Sequence, residues 1–271
     1  MDIRPFTLAL AAAIGLATSA PAQQAPAPAA PQVSTAPAVQ ASPEERARIE
    51  TIIRDYLIRN PEVLQEALVE LERRQAANEE RSRTEALASN RQQLYRAANQ
   101  VVLGNPQGDV TIVEFFDYNC GFCKRAMAET MDLVRQDQRI RLVLRDFPVL
   151  GPGSVEAAQV ALALKKQIQG AKYQEFHTRL LGGRGQANRA RALEVAREVG
   201  ADMARLEQDM NAPDIRTELA ETARLADLLR INGTPTYVIG DEVVVGAVGA
   251  EKLRENITRA RAGCARQANV C

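Results

Sequence analysis

The spacing of apolar residues changes repeatedly along this chain, and each change predicts a different element. Residues 6–17, FTLALAAAIGLA, form an uncharged run too short to cross a membrane comfortably. Residues 23–41, QQAPAPAAPQVSTAPAVQA, have nothing to bury and predict an extended, disordered Ala/Pro-rich linker. Ser42-Pro43-Glu44-Glu45 then supplies an N-cap, a proline at the first helical position and early acids. Ile49, Ile52, Ile53, Tyr56 and Leu57 follow at three-to-four spacing, which is a helix stripe. Asn60-Pro61-Glu62 repeats the start signal, and Val63, Leu64, Ala67, Leu68 and Leu71 form a second short stripe. From Glu72 to Glu85 the pattern ERRQAANEERSRTE is polar on every face, as in a solvated helix or spacer. Leu87, Leu94 and Tyr95 would dock its far end onto the next domain.

That domain begins near Val101. DVTIVEFFDY (109–118) and RIRLVLRDFPV (139–149) are rich in β-branched and aromatic residues and read as strands. Between them CGFCKRAMAETMDLVRQ (120–136) is an amphipathic helix, so the three make the strand, helix, strand unit of parallel sheets. Helical segments punctuated by Gly, Pro and Asn occupy 154–229. TPTYVIGDEVVVGAVG (234–249) returns to short β runs joined at Gly240-Asp241, and AEKLRENITRARAG (250–263) closes as a helix. The chain therefore divides into residues 1–22, a linker 23–41, a helical segment and spacer 42–98, an α/β domain 99–263 with a helical insertion at about 152–230, and a tail 264–271.

Charge removes one class of partner. Thirty-four basic residues balance thirty-four acidic ones, which leaves no net field for nucleic acid or an anionic membrane, and nucleic acid is dropped. Arg4 before the apolar run and Ala20-Pro21-Ala22 after it make residues 1–22 a cleavable signal peptide rather than an anchor. Export changes how cysteines are read, because an oxidising compartment keeps disulfides once formed. No second stretch reaches the roughly 20 apolar residues of a spanning helix, so the mature chain is expected to be soluble. The two N-terminal stripes cannot build a core of their own. The residues alone leave open whether they meet other subunits or fold back on the main domain.

Cys120 and Cys123, separated by Gly121 and Phe122, carry the candidate chemistry. If Cys120 starts the helix, Cys123 lies one turn later on the same face, within the ~4.4–6.8 Å Cα window of a disulfide. Unpaired N–H groups and the helix dipole would stabilise a thiolate at Cys120, the attacking sulfur, while Cys123 would resolve the mixed disulfide. A zinc site commonly needs two such pairs, or a pair plus histidines. Here Cys264 and Cys271 have the wrong spacing and His177 stands alone, so no metal is expected. His177 is expected at the surface or a boundary, outside the site. A permanent crosslink would restrict the unfolded chain little across so short a ring. Glu114 interrupts TIVEFF, which is apolar on both sides. It is either a buried acid with a raised pKa, suited to take a proton from Cys123, or a strand-end carboxylate reaching solvent. Thr234-Pro235 precedes TYVI, and the isomer of that bond is not visible in a sequence.

Taken in order, these elements resemble the DsbA family of the thioredoxin superfamily over about residues 100–263, on VEFFDYNCGFC and GTPTYVIG. The resemblance implies an α/β thioredoxin fold with a helical insertion and protein thiol-disulfide oxidoreductase activity. It implies that Cys120 is the exposed nucleophile, Cys123 the buried partner, Glu114 the buried acid and Pro235 a cis-proline beside the disulfide. Thr234 becomes a substrate-contact candidate through its backbone, with Gly121 and Phe122 beside it. One departure matters. Strongly oxidising members carry Pro-His between their cysteines, and Gly121-Phe122 offers no imidazolium, which implies a less oxidising pair suited to isomerase or reductase work. A threonine before the proline, as in the family's isomerases, points the same way.

RDYLIRNPEVLQEALVELERR is similar to the helical oligomerisation segment of the ScsC proteins, soluble periplasmic members of the suppressor-of-copper-sensitivity system. This implies a periplasmic homo-oligomer, a trimer before a dimer. The implied partners are unfolded or misoxidised client proteins and a membrane redox partner that re-sets the pair. The implied cofactor is none beyond the redox-active disulfide Cys120–Cys123. Cys264 and Cys271, in GCARQANVC beyond the matched region, are expected to form a local structural disulfide, with a second redox relay or a Cu(I) pair as alternatives. A copper-binding or copper-handover protein is the alternative class. A purely structural coiled-coil scaffold leaves Glu114 and the CxxC spacing unexplained.

Overall fold

The computed structural model describes residues 42–97 and 100–264, without the side chain of Cys264. The expected signal peptide, the Ala/Pro-rich linker and the Cys264–Cys271 disulfide lie outside the described residues. The chain divides into two compact units, Met1–Leu64 and Gln65–Cys271.

Helix α1, Pro43–Arg59, starts in a reciprocal capping box. The Ser42 hydroxyl accepts the Glu45 N–H at 3.2 Å, and the Glu45 carboxylate accepts the Ser42 N–H at 3.0 Å. None of its residues is buried, and Ile49, Ile52, Ile53 and Tyr56 are each more than half exposed. Helix α2, Glu62–Arg96, is polar through its middle, where Glu70 pairs with Arg73 and Arg74 at 2.7 Å. Its last turns bury Leu87, Leu94 and Tyr95.

The α/β region runs β1 (Val101–Gly104), β2 (Val110–Phe116), α3 (Gly121–Gln136) and β3 (Ile140–Asp146). The insertion follows as α4 (Pro152–Leu164), α5 (Gly170–Gly182), α6 (Arg189–Glu198), α7 (Met203–Asp209) and α8 (Pro213–Leu228). The chain closes with β4 (Thr236–Ile239), β5 (Glu242–Val245) and α9 (Ala250–Cys264). The strands order as β1-β3-β2-β4-β5, with β2 and β3 parallel and the other pairs antiparallel.

Every residue of β2 is buried because the sheet is covered on both faces. Ile112 and Phe116 share a cluster with Cys120, Cys123, Tyr237, Leu253 and Ile257, so Glu114 between them turns toward α3 and α9. Val113 and Phe115 meet Leu87, Leu94, Tyr95, Leu225 and Leu229 on the other face. Gly240, at φ +62°, makes the two-residue turn between β4 and β5. This is the α/β sheet with a helical insertion that the resemblance implied. One strand was not anticipated: β1, VVLG, lies at the sheet edge antiparallel to β3. Four residues ending in glycine are too few to show a period.

Candidate active site: a dithiol at a helix start

Cys120 is the N-cap of α3, extended at φ −75° and ψ 113°, and its Sγ accepts the Cys123 N–H at 3.3 Å. Asp117 builds the turn that delivers it there. The Asp117 carbonyl accepts the Cys120 N–H at 3.0 Å, and its carboxylate accepts the N–H groups of Asn119 at 2.8 Å, Val149 at 2.8 Å and Leu150 at 2.9 Å. One side chain thereby joins the end of β2 to the loop after β3. Asn119 ties the same turn to the insertion: its Nδ2 donates to Ser154 Oγ at 2.9 Å and to the Ala187 carbonyl at 2.8 Å, and its Oδ1 accepts the Ala187 N–H at 2.7 Å. Sequence reasoning passed over both residues. The signal was Asp-x-Asn before the first cysteine, since Asp and Asn cap local backbone in turns.

The third wall is the loop before β4. The Thr234–Pro235 bond is cis, and Cys120 Sγ donates to the Thr234 carbonyl at 3.2 Å. The Pro235 carbonyl accepts the Gly246 N–H at 2.8 Å, and Thr236 Oγ1 donates to the Gly233 carbonyl at 2.8 Å, so the loop is braced on both sides. The start of α3 and this loop meet at one sulfur, and the turn after β2 holds the backbone of the same residue.

Both cysteines are free thiols. Cys123 is fully buried, and burial pushes its thiol up. Cys120 is not the exposed residue that the resemblance implied: only 4% of its surface is accessible. Its sulfur turns inward between the Cys123 N–H and the Thr234 carbonyl, and the exposed part of the motif is Gly121-Phe122, with Phe122 at 58%. The Arg125 guanidinium lies over the Phe122 ring at 4.2 Å from its centroid.

Glu114 is 2% exposed, so of the two readings left open by the residues burial is the one found. Burial pushes its carboxyl up to about 7, and a hydrogen bond from Tyr237 draws it down. Tyr237 stands opposite Glu114 in the β2–β4 register, and its hydroxyl oxygen is 3.3 Å from Thr130 Oγ1 on α3. Burial, then the charge of Glu114, push the Tyr237 phenol up; Cys123 adds to the rise. Sequence reasoning did not single out Tyr237. A polar-tipped residue inside the buried run TYVI was the available signal.

His177 corrects the expectation of a surface or boundary position: it is 1% exposed. Its ring centroid is 4.8 Å from that of Phe116, and its Nδ1 is 3.5 Å from the Tyr118 hydroxyl. Burial pushes the imidazole down to about 3. Tyr173, Phe176, His177, Leu180 and Leu181 are all buried on α5, and that helical stripe already contained the answer. Among the described residues no group of three or more His, Cys, Asp or Glu side chains is placed to hold a metal ion.

The family described as DSBA-like thioredoxin domain matches residues 111–258, more than half of the chain. This chain belongs to that family. A second match, the copper resistance protein ScsC N-terminal domain, covers residues 45–78. Among solved structures, a thioredoxin-like oxidoreductase from Silicibacter pomeroyi DSS-3 is 48% identical, with a TM-score of 0.61, over 64% of this chain and 98% of that one. A linker-deletion mutant of Proteus mirabilis ScsC is 25% identical, with a TM-score of 0.62, over 83% of this chain and 98% of that one. The Na(+)/H(+) antiporter NhaA 1 of Salinispora arenicola is 30% identical over 164 residues, 60% of this chain and 25% of the antiporter. The chain spans about a quarter of the length of such curated relatives. Among the described residues no helix is long and apolar enough to cross a membrane. The DsbA-like fold of this member is a mixed sheet with a helical insertion, and an ScsC-type helical region precedes it.

Proposed function

We propose that this DsbA-like protein is an exported thiol-disulfide oxidoreductase that exchanges disulfides in client proteins, with a leaning toward isomerisation. The observation that carries the reading is the position of Cys120 Sγ, which caps α3 and contacts the carbonyl before the cis-proline, with Cys123 one turn inside. The Cys120 sulfur, as thiolate, attacks one sulfur of a client disulfide; that S–S bond breaks and the second client sulfur leaves as thiolate with the bonding pair. If the freed thiolate attacks another client disulfide and Cys120 is finally expelled, the client is isomerised with no net electron transfer. If Cys123 attacks Cys120 instead, two electrons pass to the client and the Cys120–Cys123 disulfide forms. Glu114 takes the Cys123 proton in that step. The pair is its own cofactor, and a membrane redox partner re-sets it. The absence of an imidazole at Phe122 supports the isomerase leaning.

Exposed Phe122, Val149, Leu150, Val245 and Val248 lie on the segments that meet at Cys120, an apolar rim suited to unfolded clients. Thr234 and Pro235 would present backbone to a client strand there. The exposed stripe of α1, with Leu64, Leu68 and Leu71, supports a homotrimer through coiled-coil packing. The leader over residues 1–22 and the ScsC likeness support a periplasmic location.

The copper-handover alternative rests on the cysteine thiolates; the N-terminal match carries copper resistance in its name, but residues 45–78 themselves contain neither cysteine nor histidine. One comparison decides between the readings. The full chain should reactivate a scrambled disulfide-rich protein and equilibrate with glutathione, and Cys120→Ser should lose both while melting normally. An inert Cys120 sulfur in the wild-type chain would sink the exchange reading. A potential near −120 mV, roughly that of the strongest oxidants, would sink the isomerase leaning.

A further inference from the structure

The dithiol occupies a single helix turn, yet β4 and the loop before it touch both ends of its chemistry. In the loop two residues before that strand the Thr234 carbonyl accepts Cys120 Sγ–H at 3.2 Å. Three residues on, Tyr237 faces Glu114 across the β2–β4 pair, and its phenol draws the buried carboxyl back down. The same hydroxyl is 3.3 Å from Thr130 Oγ1, and Thr130 follows Cys123 by two helical turns, on the same face of α3. Tyr237, Thr130 and Cys123 are all fully buried. The phenol thus spans from the strand that holds Glu114 to the helix face that carries Cys123.

We propose that Tyr237 is a positioning residue for exchange: its hydroxyl holds the Glu114 carboxylate in place, and in its charged form, as acceptor of the Cys123 proton. The inference rests on the exchange reading above and adds a residue to it. Its physical basis is the cost of an ionised carboxylate inside a sheet. β3 sets Leu144 beside Glu114, and α9 turns Leu253 and Ile257 to the same face. The titratable group that acts on it is Tyr237 from β4, and Cys123 on α3 acts on the same phenol. A charge-assisted bond from the phenol offsets part of the burial penalty. The phenol stays protonated, because burial and the neighbouring carboxylate push it up, so it remains a donor throughout the cycle.

In this step Cys123 S–H passes its proton to the Glu114 carboxylate, and the Cys123 sulfur attacks Cys120 within the Cys120–client mixed disulfide. The Cys120–client S–S bond breaks, and the client sulfur departs with the bonding pair. Both protein sulfurs end oxidised, the client ends reduced by two electrons, and the proton on Glu114 goes to the client thiolate or to water.

The test uses the full chain, with Cys120 joined to a small thiol as a mixed disulfide, and follows release of that thiol from pH 5 to 9. In the wild type, release should weaken as pH falls through about 7, where Glu114 takes up its proton. Tyr237→Phe removes one oxygen and keeps the ring. It should move that midpoint upward by about one unit, slowing release ~10-fold below the midpoint. In a Glu114→Gln background the same substitution should have no further effect on release. An unmoved midpoint, or a full Tyr237→Phe effect persisting in the Glu114→Gln background, would overturn the inference and leave the exchange reading standing. No release from the wild type at any pH would overturn both. Should the Tyr237→Phe chain not fold, 3-fluorotyrosine placed at position 237 decides: its more acidic phenol is a stronger donor and should move the midpoint downward, and an unmoved midpoint would overturn the pairing.

Discussion

Replacing Asn119 by alanine tests whether the turn before Cys120 is held from the insertion. The Asn119 amide makes three hydrogen bonds, one to Ser154 and two to the backbone of Ala187, at 2.7 to 2.9 Å. Ser154 and Ala187 are almost fully buried. Truncation leaves the N–H and the carbonyl of Ala187 without these partners, at about 1–3 kcal/mol each for a buried polar group. The Ser154 hydroxyl can rotate, and water can enter the space of a half-buried side chain, so the lower part of the sum applies, about 2–3 kcal/mol. For a domain of this size that is a fall in Tm of roughly 4–12 °C, from about 2–4 °C per kcal/mol. Urea and thermal unfolding of the dithiol form, followed by far-UV circular dichroism, measure it directly, and the m-value should not change. Asn119→Asp keeps the acceptor for the Ala187 N–H and loses both donors, which separates the halves of the clamp. A loss below about 0.5 kcal/mol for Asn119→Ala, within the range of ordinary surface changes, would refute the reasoning.

Asp146 and His177 should shape stability against pH in opposite directions. Burial and the charge of Glu218 push the Asp146 carboxyl up to about 8, and among the described residues no other side chain hydrogen-bonds to it. The folded chain therefore holds a proton that the unfolded chain releases near pH 4, so this contribution is full below about 4 and is lost as pH rises through about 8. Burial pushes His177 down to about 3, so its contribution is full above about 6.5 and is lost as pH falls toward about 3. Urea unfolding from pH 4 to 8.5 should show a shallower alkaline decline for Asp146→Asn than for the wild type; identical slopes would contradict the assignment. A chain beginning at residue 80 keeps Leu87, Leu94 and Tyr95 in the core and loses the exposed stripes; it should still exchange with small disulfides but should isomerise scrambled protein less well than the full chain, because linked arms raise effective concentration. Equal performance, or a light-scattering mass of the full chain near the 29.6 kDa of one protomer, would sink the trimer.

The local parts of this fold were legible because their signals are local. Ser42 and Glu45 form the capping box that their spacing announced, and Cys120 caps a helix as its place after a β run required. The β4–β5 turn sits on the glycine that marked it. The illegible parts depend on residues far apart in the chain. Cys120 meets Thr234 across 114 positions, Thr130 meets Tyr237 across 107, and Asn119 meets Ala187 across 68. No period or cap encodes such contacts; the first two follow from the strand order that sets β4 beside β2, and the third from the insertion packed on the turn after β2. The resemblance implied an exposed Cys120, and the loop that covers its sulfur arrives from the far end of the domain, where no local signal shows it. His177 is the exception, because its stripe on α5 was in plain view.

The pair of cysteines divides a wet side from a dry one, and the two sides govern different parts of the chemistry. On the wet side Phe122 is exposed, and the Arg125 guanidinium rests on its ring, about as close to Gly121, 3.8 Å from where a Cβ would stand there. A cation is thus present beside the motif even though the dipeptide has no histidine, but it is held on the outer face by the ring, where an arriving client meets it. On the dry side Cys123, Glu114, Tyr237 and Thr130 are buried together, beyond the reach of a client side chain. Changes at Phe122 or Arg125 should therefore act on which clients are captured, through contact area and charge. Changes at Glu114 or Tyr237 should act on how quickly a captured client is released, through the proton on Cys123. A mixed-disulfide assay that reports capture and release separately keeps the two apart, and a Tyr237 substitution that altered capture alone would show that the division is wrongly drawn.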